Sequence, residues 1–177
     1  MRKQFGKTLV ELAEKDSKVI LIVGDIGYGV FDEFKQKYPD RFMNIGICEQ
    51  SMISVASGMA LEGLKPYVYT ITPFLIERPF EQIKLDINEQ KVNVKLIGYA
   101  DYPQYGVTHS EIDAKWLMEN FKNIKSYYPK CSAEVVEALM SSYKSNNPAF
   151  ISLKKDRNET EYRLALKTIL ETDSRWI

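Results

Sequence analysis

Val19-Ile20-Leu21-Ile22-Val23-Gly24-Asp25-Ile26-Gly27-Tyr28-Gly29 decides the fold. A continuous aliphatic run, mostly β-branched and with no alternating polar residue, reads as a strand buried on both faces. Such a strand belongs to a parallel sheet covered by helices on either side. The glycine-rich turn that follows puts Asp25 and Ile26 at the strand's carboxyl end. Upstream, Phe5, Leu9, Val10, Leu12 and Ala13 form a helical stripe over residues 5–15. Downstream, the spacing predicts a helix over 31–38, closed by Pro39, and a strand over 43–47. A helix over 51–61 stops at Gly63, a strand follows over 67–71 and a helix over 73–88. Residues 92–99 read as a strand, 100–109 as irregular, 116–121 as helical and 124–128 as extended. Ser132 is placed to cap a helix over 133–143, and 149–153 is a last strand.

This alternation predicts one α/β domain over residues 1–155, a mostly parallel sheet with helices on both faces. Residues 156–159 are a polar break, and 156–177 are expected to be a C-terminal tail, helical over 162–170. The 177 residues suffice for one domain with a proper core and not for two ordinary ones.

Composition excludes several classes of function. The charge is +0, from 24 basic and 24 acidic residues, so no electrostatic footprint for nucleic acid or an anionic membrane is present. No apolar run approaches the about 20 residues that span a bilayer, and no signal-peptide core follows the charged N-terminus. Two cysteines, Cys48 and Cys131, make neither a disulfide framework nor a metal-ligand spacing, and a single histidine excludes a His-rich metal site. The expectation is a cytoplasmic, reduced chain with no metal of its own.

The ligand edge of such a fold is the set of loops at the carboxyl ends of the strands. Asp25, Glu49 and Phe74 fall there, after the first, second and third predicted strands. Glu49 opens the helix Ser51-Met52-Ile53-Ser54-Val55-Ala56-Ser57-Gly58-Met59-Ala60, which has no charge before Glu62. A carboxylate entering so apolar a segment is either paired or keeps its proton, because burying it bare is costly. A buried acid of this kind can lend and retrieve a proton. Its plainer alternative is a helix-start Glu satisfying free backbone donors. Residues 24–29 are glycine-rich, but lack the G-x-G-x-x-G spacing of a dinucleotide binder.

Longer stretches resemble a known domain. Residues 1–16, the run Pro39-Asp40-Arg41-Phe42-Met43-Asn44-Ile45-Gly46-Ile47-Cys48-Glu49-Gln50, Leu61-Glu62-Gly63-Leu64-Lys65-Pro66, Arg78-Pro79-Phe80-Glu81-Gln82-Ile83 and Gly106-Val107-Thr108-His109 are similar to the pyrimidine-binding domain of transketolases. Deoxyxylulose phosphate synthases and the β subunits of 2-oxo-acid dehydrogenases share that domain. The resemblance covers residues 1–155 and implies thiamine diphosphate, whose thiazolium serves as nucleophile and electron sink. It makes Glu49 the acid that contacts the aminopyrimidine nitrogen, and Phe74 the aromatic stacked on that ring. It makes Ile26, beside Asp25, the prop for the bent coenzyme, with Phe80 helping to line the pocket. His109, at the Thr-His position, is implied to hydrogen-bond substrate or shuttle a proton. Lys155 lies near a family Arg that meets substrate phosphate, but loses its bidentate geometry. Arg78 matches a family position with no assigned role, and Cys48 and Cys131 receive none.

Three departures qualify this. Gly24-Asp25-Ile26 is not the Gly-Asp-Gly motif of the diphosphate-binding half, so that half, with its Mg2+ or Ca2+, is expected on a partner. The usual C-terminal domain is also missing from the resemblance. Tyr105 stands where the family has an Asp that contacts a sugar hydroxyl, which implies a bulkier or modified sugar acceptor. The expectation is one subunit of a split transketolase-like enzyme moving a two-carbon ketol unit between sugars or sugar phosphates, in an α2β2 heterotetramer. Helix 51–60 is expected near the interface. The alternatives are an oxo-acid decarboxylase β subunit and a non-catalytic assembly subunit.

Overall fold

The structure, a computed structural model, describes residues 1–154, so Lys155 and the predicted tail helix lie outside the described residues. Six strands form one sheet: β1 Val19–Val23, β2 Phe42–Asn44, β3 Lys65–Thr70, β4 Lys95–Tyr99, β5 Lys125–Tyr127 and β6 Ala149–Leu153. Their order is β2-β1-β3-β4-β6-β5, and every pairing is parallel. Val23 is flanked by Asn44 on one side and Tyr69 on the other.

Side chains alternate across the strands and build two cores. Val19, Leu21 and Val23 face one side with Tyr67, Tyr69, Ile97, Ile151 and Leu153. Helices α1 (Arg2–Lys15) and α7 (Ser132–Ser145) cover that side with Phe5, Leu9, Val135 and Leu139, and the short α2 (Asp32–Lys37) adds Phe34. Ile20 and Ile22 face the other side with Val68, Leu96 and Phe150. There they meet Met52 and Ile53 of α3 (Glu49–Leu61), Leu75 and Ile76 of α4 (Thr72–Ile76), and Leu117 of α6 (Ala114–Met118). Covering both faces is what lets β1 be apolar at every position.

Several boundaries differ from the sequence pattern for local reasons. The predicted helix over 73–88 is broken, because Pro79 lacks an N–H and its ring clashes with the preceding turn. It becomes α4, a break at Glu77-Arg78-Pro79, a short α5 (Phe80–Gln82) and a π-helical stretch, Ile83–Glu89. β2 ends at Asn44 rather than residue 47, since Gly46 turns the chain at φ +78. As a result α3 begins at Glu49 itself. Ser132 is the first residue of α7 rather than its cap. Helix α6 starts two residues early because Asp113 accepts from the Lys115 and Trp116 amides at 2.9 and 3.1 Å.

The sheet's amino-terminal edge holds a group that sequence pattern did not single out. Lys95, at the start of β4, is 1% exposed and donates its ammonium hydrogen to the Asn147 carbonyl. Burial, and then the charge of Lys65, push its pKa from the ordinary 10.5 down to about 7. Between those two values the unfolded chain holds one more proton than the folded one. Stability should therefore rise with pH above about 7, by up to about 1.4 kcal/mol per pH unit. Lys95→Met is expected to be more stable than wild type at pH 7, with the gap closing toward pH 9. Thermal melts of both proteins across that range check this; parallel curves would refute it.

Candidate active site

The strand order reverses at β1, with β2 on one side and β3 on the other, so the carboxyl ends of β1 and β3 leave a crevice between diverging loops. A cleft of about 270 Å³ opens there, lined by Gly24, Asp25, Ile26, Ile47, Thr70, Ile71, Phe74, Tyr102, Tyr105 and His109. Four of the positions singled out in the sequence, Asp25, Ile26, Phe74 and His109, are thus brought to one cleft, together with Tyr105.

Asp25 has a left-handed backbone, φ 53, and is held there by Asn44. Its amide donates to Asn44 Oδ1 at 3.1 Å, and Asn44 Nδ2 donates to its carboxylate at 3.0 Å. The Tyr28 hydroxyl donates to the same carboxylate at 2.9 Å. The Asn44 bond, then the Tyr28 bond, hold the Asp25 pKa below the usual carboxylate range. Asp25 therefore fixes the β1 loop and leaves Ile26, partly buried against the core, to face the cleft. The same loop turns at Gly27, φ +101, where a β-carbon would fall 2.5 Å from the Phe31 ring.

Glu49 sits in the first turn of α3 and is 2% exposed. Of the two states open to a carboxylate there, the structure has it paired: Arg78 Nη1 donates to Glu49 Oε1 at 3.0 Å. The same guanidinium carbon lies 3.3 Å from the centroid of the Phe74 ring. Phe74 in turn meets the His109 ring edge-on at 4.8 Å. The His109 loop closes on itself, with the Tyr102 amide donating to the His109 carbonyl at 2.7 Å and the Thr108 hydroxyl 3.1 Å from His109 Nδ1. Glu77, just past α4, anchors the far end of this loop by accepting from the Ile112 amide at 2.9 Å.

Tyr105 is 68% exposed, lies roughly parallel to Tyr102 at 6.0 Å and meets His109 edge-on at 5.7 Å. Phe80 is not among the cleft residues; Pro79 ends the α4 run and turns it outward, exposed and 5.1 Å from the Phe121 ring. Its expected pocket role has no support in this placement. Arg78, Asn44 and Glu77 are the positioning residues that sequence reading left without a role. Arg78 and Asn44 do lie inside the quoted motifs, which was the available signal.

A sequence profile described as "Transketolase, pyrimidine binding domain" matches residues 1–160. The chain belongs to this family. Transketolase-family enzymes of this kind depend on thiamine diphosphate. The chain is 36% identical over 156 residues to a 1-deoxy-D-xylulose-5-phosphate synthase of Oleidesulfovibrio alaskensis, covering 83% of this chain and 23% of that protein. It is 36% identical over 123 residues to one of the subunits of an apulose-4-phosphate transketolase from Actinobacillus succinogenes, covering 68% of this chain and 40% of that one. Among solved structures, a split-gene transketolase described as an inactive β4 tetramer superposes with a TM-score of 0.79 at 29% identity, over 88% of this chain and 50% of that chain. The chain thus spans half or less of the length of these transketolase-family relatives.

Proposed function

We propose that this chain is the pyrimidine-binding subunit of a split, thiamine diphosphate-dependent transketolase-like enzyme that transfers a two-carbon ketol unit between sugars. One observation carries the reading: a buried acid, Glu49, and an aromatic platform, Phe74, are bridged by one guanidinium, that of Arg78, and Phe74 lines the cleft at the strand-order switch. Acid plus ring face is the set of partners an aminopyrimidine needs, so the residues fit that half of the coenzyme. They offer little to the other half. Among the described residues, no Lys or Arg lines the cleft and no group of three His, Cys, Asp or Glu could hold a metal ion. A partner carrying the diphosphate and Mg2+ or Ca2+ sites would complete it, and the division of two relatives into separate chains favours this.

When bound, the coenzyme would supply a nucleophilic carbon that accepts the ketol unit and holds its electron pair. This chain's residues would do the rest. Glu49 holds and returns a proton at the aminopyrimidine nitrogen, Phe74 and Ile26 orient the coenzyme, and His109 meets the substrate's developing alkoxide. Tyr105 presents an aromatic face on the acceptor side, which favours a bulkier or modified sugar over a simple pentose phosphate. Ser51, Ser54, Val55 and Gly58 form an exposed strip of α3, next to exposed Ile47 and Leu61; an α2β2 interface would cover it.

The test is to co-purify this chain with a companion chain that has the Gly-Asp-Gly motif and to assay ketol transfer with and without thiamine diphosphate. Turnover is expected only when both chains and coenzyme are present. A pair that is inert toward every ketose donor but active on a 2-oxo acid would favour the decarboxylase reading instead. Tight, metal-dependent coenzyme binding by this chain alone would contradict the split.

A further inference from the structure

Arg78 occupies both groups on which the proposed function depends. It lies in the Pro79 break between α4 and α5, and its guanidinium makes two contacts at once. One N–H donates to the Glu49 carboxylate at 3.0 Å, while the plane's central carbon lies 3.3 Å from the centroid of the Phe74 ring. A flat, nitrogen-rich group lying over Phe74 with a nitrogen aimed at Glu49 has the outline of an aminopyrimidine, whose ring nitrogen would share a proton with the acid where the guanidinium donates its own. The guanidinium and that ring compete for the same acid and the same aromatic. We propose that Arg78 is a place-holder, covering Glu49 and Phe74 until the coenzyme's aminopyrimidine displaces it toward solvent. The inference rests on the proposed function and adds how the site is kept ready.

Two physical facts support a displaceable cover. The Glu49 side chain is 3% exposed, and its helix buries Met52 and Ile53 against the sheet, so an unpaired carboxylate there would be costly. A cation that leaves only as a ring nitrogen arrives, with one proton taken up from water between that nitrogen and Glu49, leaves no bare carboxylate behind. Arg78 itself is 32% exposed, so its side chain has an open route out, and outside the site its guanidinium regains hydration. An arginine suits the task where a lysine would not, because only the planar fork can stack and donate in the same plane. The consequence is a competition: the cover lowers the apparent affinity for the ring it imitates.

The test uses the full chain and thiamine as the aminopyrimidine probe, followed by NMR. His109 is the single histidine, and its ring lies 4.8 Å from Phe74, so its imidazole signals report the site without overlap. Thiamine is expected to shift the His109 signals, and to move the Arg78 Nε–H signal as its ring-current shift from Phe74 is lost. Arg78→Met, which keeps the stem without the charged plane, is expected to bind thiamine at least about tenfold more tightly than wild type. Equal or weaker binding by a folded Arg78→Met would overturn the proposal, as would an Arg78 signal that stays put while His109 responds. Should Arg78→Met not fold, the wild-type Arg78 signal decides alone. If thiamine moves neither signal in wild type and leaves His109 unmoved in Arg78→Met, the place-holder is overturned, while ketol transfer by the two-chain assembly decides the functional reading separately.

Discussion

Glu49→Gln is expected to lower kcat of the proposed two-chain enzyme by about 10²–10⁴-fold at saturating thiamine diphosphate, the usual worth of a positioned acid–base group. The amide keeps the size and the hydrogen-bonding reach of the carboxylate but cannot pass a proton to and fro. The fold should survive the change. Among the described residues, the Glu49 carboxylate has one side-chain hydrogen bond, from an Arg78 that is 32% exposed and can turn to water once the carboxylate is gone. Far-UV circular dichroism and melting temperature should thus stay close to wild type while turnover collapses. Activity within a few-fold of wild type would remove Glu49 from the mechanism. A collapse of both fold and activity would return it to the plainer role of a helix-start acid satisfying local donors.

What the sequence made legible was whatever depends on local pattern. The β1 run has no polar alternation, and the buried sheet it predicts is there, strand by strand, with helices on both faces. Placing Asp25 and Phe74 at the cleft followed from the same logic, because connectivity alone puts loops at the carboxyl ends. What stayed hidden depends on tertiary approach. Glu49 and Arg78 are 29 residues apart, and nothing in either segment says that the start of α3 meets the break after α4. The Asp25–Asn44 clamp spans 19 residues and rests on β1 and β2 lying side by side. Lys95 falls inside the strand predicted over 92–99, where local pattern gives a single lysine no role, yet the chain pairs it with Ala149 of β6 and buries its ammonium against the Asn147 carbonyl. Phe80 shows motif register and packing parting company. Its motif register suggested the pocket, but Pro79 redirects the chain and the ring packs on Phe121.

Gly98→Val tests how the sheet aims the site. Gly98 lies in β4 beneath the first turn of α4, where a β-carbon would come within 2.9 Å of Thr72 Oγ1, 3.2 Å of the Phe150 ring and 3.3 Å of the Thr72 α-carbon. Thr72 is short, fully buried and branched, so it cannot swing aside, and its α-carbon is backbone. Replacing a strand glycine would on its own stabilise by up to about 1 kcal/mol through the unfolded chain. Overpacking a tight core costs about 1–3 kcal/mol, occasionally more, and with valine's two further methyls the cost should sit at the top of that range, for a net loss of about 2 kcal/mol. The strain has one outlet, which is to lift α4 off the sheet. Phe74 rides on α4, two residues from Thr72, so its ring should shift relative to Glu49 and Ile26. A misplacement near 1 Å can cost about 10²-fold in rate. Adding Thr72→Ala removes the hydroxyl, which has no hydrogen-bond partner among the described residues, and should restore part of both stability and turnover in the Gly98→Val background. Additive losses in the double variant would mean that Gly98 and α4 are not in steric contact, and that the close approach of this helix does not set the position of Phe74.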